Sequence, residues 1–128
     1  MYTFISILSV AAGGALGASL RYGVNTGIMH WLGPGFPWAT LTVNVLGSFV
    51  MGLLVAAFAH FWDVSHTMKV FLVTGFLGAF TTFSAFSLDV SVLYENDKFA
   101  EMAAYILASV ILSIAALFAG ILIVRQFA

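Results

Sequence analysis

The chain has 128 residues and a net charge of −1; 62% of its residues are hydrophobic and only 7% are charged. A soluble domain carries about 25% charged residues, so this chain cannot cover a water-facing surface and is expected to be a single integral membrane domain. The charge balance offers no basic patch, which removes nucleic acid as an expected partner. The lack of cysteine removes disulfides, thiolate metal sites and a cysteine nucleophile.

The first apolar run has no basic n-region and no convincing small-residue cleavage site, so it is expected to stay as a helix and not to be removed as a signal peptide. Helix 1 is predicted over about residues 3–20, ending at Arg21-Tyr22. Gly13, Gly14, Gly17 and Ala18 form a small-residue face on it, and the four-residue spacing of Gly13 and Gly17 lets another helix approach closely. Asn25 to Pro37 reads as a loop or interfacial segment, broken by Gly33-Pro34-Gly35 and Pro37 and flanked by Trp31 and Trp38 at headgroup level. Helix 2 is predicted over about 38–61, with Asn44 as its one strongly polar residue in mid-course. A short polar turn follows, from Trp62 to Lys69.

Helix 3, about 70–94, contains the least ordinary stretch, VFLVTGFLGAFTTFSAFSL from Val70 to Leu88. Gly75 and Gly78 each lower helix propensity by about 1 kcal/mol relative to Ala. Thr81, Thr82, Ser84 and Ser87 bring hydroxyls into what should be hydrocarbon. Non-helical backbone at membrane depth is tolerated only where it is buried in protein or lines a wet cavity. A helix broken near its middle is therefore expected, its freed groups facing something polar. Glu95 to Glu101 is a charged turn, and helix 4 follows over about 102–124, with Ser109 and Ser113 on one face. Each predicted span meets the roughly 20 residues that a bilayer requires, within the usual range.

Four spans place both termini on one side. Lys69 and Arg125 then lie on that side and Arg21 and Lys98 on the other. This even split gives no positive-inside preference. Insertion in both orientations follows, and with it an antiparallel homodimer.

Every predicted loop is too short for a catalytic domain, no catalytic residues are expected, and the chain does not read as an enzyme. His30, His60 and His66 sit near predicted helix ends without metal-ligand spacing, and no glycine pair forms a phosphate loop. Transport fits better, because polar groups within spans mark pathways. Those at depth are Asn44, Thr81, Thr82, Ser84, Ser87, Ser109 and Ser113, all neutral and all able to donate hydrogen bonds. Asp89 is the one ionisable group in that region. A path of neutral donors almost without carboxylates suits a small anion. Arg21, at a predicted helix end, reads either as a snorkelling terminus or as a charge that raises the local anion concentration. Phe83 and Phe86 share a helical face beside the hydroxyls, and the positive edge of a phenyl ring can sit against an anion without acting as a base.

The motifs GGALGASLRY (Gly13 to Tyr22), TLTVNVLGSFVMG (Thr40 to Gly52) and TGFLGAFTTFSAFS (Thr74 to Ser87) make the chain resemble the Fluc (CrcB) family of fluoride channels over nearly its whole length. The resemblance implies an all-α, four-span protein assembled as an antiparallel, dual-topology homodimer with two pores. It implies passive export of fluoride across the plasma membrane, the inner membrane in bacteria, with the lipid bilayer and a second copy of the chain as partners. It assigns the ion pathway to Asn44, Thr82, Phe83, Phe86, Tyr105, Ser109 and Ser113, with Arg21 as the helix 1 arginine. It assigns a structural sodium ion to the backbone carbonyls of Gly78 and Thr81 at the helix 3 break.

Two residues depart from the family pattern. Ala79 stands where a second glycine is common, and Ala85 where Phe-Ser-Thr-Phe supplies a hydroxyl between the rings. The sodium carbonyls survive the first change, and weaker conduction would follow the second if that hydroxyl orients a ring or touches the ion. A small dual-topology multidrug exporter is the alternative among transporters, but that class uses a buried carboxylate in helix 1, and helix 1 here has none. A non-transporting assembly protein leaves the cluster of hydroxyls and Phe rings without a purpose.

Overall fold

The computed structural model describes residues 2–128 and is helical throughout. Its elements are α1 (Tyr2–Leu32), α2 (Trp38–His60), α3 (His66–Lys69), a π-helical stretch π1 (Val70–Leu77), α4 (Gly78–Phe80), α5 (Phe83–Glu95) and α6 (Phe99–Arg125). Among the described residues, four helical stretches are long and apolar enough to cross a membrane: Thr3–Leu32, Trp38–His60, His66–Glu95 and Phe99–Arg125. The chain is a multi-pass membrane protein. One outer face of α6 carries Leu107, Ile111, Phe118 and Leu122, all exposed and spaced by one or two helical turns, as suits contact with lipid.

The first helix does not stop at Arg21-Tyr22. It continues to Leu32, so residues predicted as loop from Asn25 onward are helical. No proline interrupts the run before Pro34, and Thr26 Oγ1 donates to the Tyr22 carbonyl at 2.9 Å, which seats its hydroxyl inside the helix. The stop comes at Gly33, whose φ of 76° and N–H bond to the Met29 carbonyl make a left-handed cap that glycine adopts at little cost. At 1.5 Å per residue, α1 is about 46 Å long, against a hydrocarbon core of about 30 Å. Its last turns therefore reach the headgroup layer, where Trp31 sits exposed. Arg21 lies inside this helix and not in a loop.

The third span also starts earlier than predicted. Ser65 accepts from the Met68 N–H and caps a helix that begins at His66, within the segment read as a turn. The fourth starts at Phe99, and the link before it is closed by Asp97 in the left-handed region, with φ of 58°.

Two helix pairs make up the body: α1 runs along π1 and α4, and α2 runs along α6. Backbone meets backbone in both. A Cβ on Gly13 would strike the Phe71 carbonyl oxygen, one on Gly17 the Phe76 carbonyl oxygen, and one on Gly75 the Val10 carbonyl oxygen. A Cβ on Gly52 would strike the Leu117 carbonyl oxygen, and one on Gly120 the Phe49 carbonyl oxygen. In a bilayer the hydrophobic effect does not drive helices together, so such close approach supplies the packing energy. A small core of Leu41, Phe86, Leu93 and Tyr105 joins α2, α5 and α6. The π1 segment packs against the glycine face of α1. Runs of π-helix longer than one turn are rare and frequently mark functional sites.

Candidate functional site: a hydroxyl-lined cavity at the interruption of the third span

Between α4 and α5 the backbone leaves the helix for two residues. Thr81 (φ −87°, ψ 157°) and Thr82 (φ −155°, ψ 118°) are both extended. Leaving the helix strips carbonyls of their usual donors four residues on, and the structure places two of those donors on side chains. The Thr82 N–H, which would serve Gly78, donates to Asn44 Oδ1 at 2.8 Å. The Ala85 N–H, which would serve Thr81, donates to Thr82 Oγ1 at 3.1 Å as the cap of α5. Arg21 Nε donates to the Ala79 carbonyl at 2.9 Å.

Asn44 grips the extended strand from both sides, because its Nδ2 also donates to the Thr82 carbonyl at 3.1 Å. An amide side chain offers one donor and one acceptor, so it pairs with a single residue's N–H and C=O as a neighbouring strand would. Gly47, one turn along α2, leaves room for the Thr81 methyl, which a Cβ at that position would strike. Thr81 Oγ1 itself donates to the Leu77 carbonyl at 2.9 Å and is thereby occupied.

Beside this interruption lies an open cavity of about 420 Å³. It brings together Asn44, Thr82, Phe83, Phe86, Ser109 and Ser113, and no ionisable side chain lines it. Phe83 is 78% exposed and Phe86 9%, with ring centroids 5.4 Å apart and planes tilted by 46°. Ser109 is 7% exposed, and its Oγ is buried with no hydrogen-bond partner among the described residues. Leaving a hydroxyl unpaired costs roughly 1–3 kcal/mol by the protein mutational scale, so Ser109, a residue of the lining, keeps unused donor capacity.

The other two sequence-predicted residues stand outside the lining. Tyr105 is fully buried behind it, with its ring 5.1 Å from that of Phe86 and its hydroxyl donating to Asp89 Oδ2 at 2.9 Å. Arg21 sits on the α1 side of the interruption, bound to Ala79. Sequence reasoning missed Ser48, Met51 and Leu117, which also line the cavity. The signal for Ser48 was available: it lies four residues after Asn44, on the same face of α2.

Comparison with known proteins agrees with this architecture. The family of CrcB-like proteins (Camphor Resistance, CrcB) matches residues 8–121. The chain belongs to this CrcB family. Curated CrcB relatives are similar over almost their entire length. One from Rhodospirillum centenum is 53% identical over 93% of this chain and 94% of its own, and is named fluoride-specific ion channel FluC. Relatives of the same name from Cereibacter sphaeroides (54% identical over 94% of each chain) and Nitrobacter winogradskyi (52% over 97% of each) match as fully. In a CrcB chain the cavity residues therefore sit on an architecture shared, by sequence, with named fluoride channels.

Proposed function

We propose that this CrcB protein is a fluoride-selective channel that lets fluoride leave the cytoplasm passively across the plasma membrane, the inner membrane in a bacterium. The observation that carries the proposal is the cavity beside Thr81 and Thr82, where amide, hydroxyl and phenyl groups converge without a carboxylate. Fluoride must exchange its hydration for protein donors. The buried, unpaired Ser109 hydroxyl is such a donor, and the rim of Phe83 and Phe86 offers polarised ring edges. A negative interior drives the anion outward, with one charge across 100 mV worth about 2.3 kcal/mol. No coupling to ATP or protons is required.

The working unit in this reading is an antiparallel, dual-topology homodimer. Phe83 supports it, since a ring so exposed beside a polar cavity would be covered by a second copy. With Arg21 tied to Ala79 inside the bundle, the charge balance rests on Lys69 and Arg125 against Lys98, still without a strong bias. The interruption of the third span is where the two copies would meet. The carbonyls of Gly78 and Thr81, both relieved of their helical donors, suit a hard monovalent cation such as sodium as a structural ion. Once bound, it would neutralise carbonyl dipoles that have no other donor.

The test is efflux from liposomes holding the purified protein. Fluoride should leave far faster than chloride, and a cationic dye should be retained. Dye efflux driven by a proton gradient without fluoride flux would support a multidrug exporter, and no flux of either would support an assembly protein.

A further inference from the structure

Hydroxyls in these spans fall into two groups. Several are occupied by main chain: Thr26 donates to the Tyr22 carbonyl at 2.9 Å, Thr42 to Trp38 at 2.8 Å, Ser87 to Phe83 at 3.0 Å, Ser91 to Leu88 at 2.7 Å, and Ser9 across to Thr67 at 2.8 Å. Bonding back to the helix is the ordinary way to hide a hydroxyl in apolar surroundings. Ser48, Ser109 and Ser113 make no such bond to the described residues, and, unlike the unpaired Ser6 on α1, all three line the same cavity. Ser48 belongs to α2, and the other two to α6.

The packing of α2 on α6 sets their levels. Gly52 lies against the Leu117 carbonyl, and Gly120 against the Phe49 carbonyl. Residues 49–52 of α2 thus lie level with residues 117–120 of α6. By the same offset Asn44 falls between Ser109 and Ser113, and Ser48 between Ser113 and Leu117, so the polar groups alternate between the two helices along the cavity. Beyond Ser48 the lining turns apolar, with Met51, Ile114 and Leu117.

We propose that Ser48 is a further anion-contacting residue, continuing with Ser113 the run of donors after Asn44 and Ser109. This rests on the fluoride-channel reading above. A hydroxyl with no acceptor within the protein can turn its proton towards a passing anion without first breaking a bond. Donors that alternate between the two helices let fluoride gain a new partner before it loses the last. The competing explanation is that Ser48 is merely small, as helix-packing residues in membranes are.

Ser48→Ala separates the two, since it deletes the hydroxyl and keeps the small volume. Initial fluoride efflux from liposomes should be measured over a range of fluoride concentrations for the parent, Ser48→Ala and Ser48→Thr. Flux should fall at least about fivefold in Ser48→Ala, a barrier change of about 1 kcal/mol. Its half-saturating fluoride concentration should rise, its oligomeric state should be unchanged, and Ser48→Thr should recover most of the loss. Parent-like flux and half-saturation in Ser48→Ala, with a conducting parent, would overturn the role of Ser48 and leave the channel reading standing. A parent that conducts no fluoride would overturn both.

Discussion

The grip of Asn44 on Thr82 offers the most direct way to perturb the cavity. Asn44→Ala removes both partners of one residue, the acceptor of its N–H at 2.8 Å and the donor to its carbonyl at 3.1 Å. Each buried polar group left unpaired costs about 1–3 kcal/mol. Thr82 is only half-buried, so a total of about 2–4 kcal/mol is the reasonable range for its two groups. If about 2.7 kcal/mol of this reaches the conduction barrier, fluoride flux falls about 100-fold. Asn44→Asp provides the contrast. It keeps an acceptor for the Thr82 N–H but sets a carboxylate oxygen against the Thr82 carbonyl and places a negative charge in an anion path. Fluoride flux should be lost in both variants. Hydrogen exchange at the Thr82 amide should accelerate in Asn44→Ala and stay slow in Asn44→Asp. The assay is fluoride efflux from liposomes read by a fluoride electrode, with exchange followed in the same preparations. Parent-like flux together with an unchanged Thr82 amide in Asn44→Ala would refute the clamp.

Other expectations follow from the same geometry. Phe86→Ile removes a ring edge while keeping apolar volume and should cut fluoride flux at least about tenfold, roughly 1.4 kcal/mol. It also loses the contact with Tyr105, so some loss of thermal stability is expected without loss of the dimer. Phe83→Ile, at an exposed ring, should cut flux with almost no change in the stability of the single chain, and parent-like flux from both variants would make the rings packing residues. Two lysines added beside Arg125 should bias insertion and reduce active dimers, which site-directed labelling from both sides of the membrane can read. Thr81→Ala keeps the backbone carbonyl and removes only a hydroxyl already bonded to Leu77, so sodium dependence of dimer stability should persist; its disappearance would move the ion to the side chain.

Much of this protein was decided by local chemistry that can be read along the chain. The low charge and four long apolar runs dictate membrane spans whatever the tertiary arrangement, because unpaired backbone in hydrocarbon leaves helices as the economical solution. Gly75, Gly78 and the paired threonines mark the third span as poor helix, and Asn44, Phe83, Phe86, Ser109 and Ser113 stand out as polar or aromatic groups at suggestive depths. The spacing of Gly13 and Gly17 signals a close neighbour but not its identity. Only the tertiary structure identifies it as π1, since the carbonyls that meet those glycines lie some sixty residues away. The same holds for Arg21. A charged residue after eighteen apolar or small positions reads locally as a terminus, yet α1 continues past it because the Ala79 carbonyl, left without its helical donor, accepts its Nε. Nor could periodicity say which serines are free. Ser87 and Ser91 are as hydroxylic as Ser48 and Ser109, and what separates them is that the first two bond back to their own helix while the other two line a cavity left between α2 and α6. Helix formation depends on residues a few positions apart, whereas a path for an ion depends on what two distant segments leave open between them.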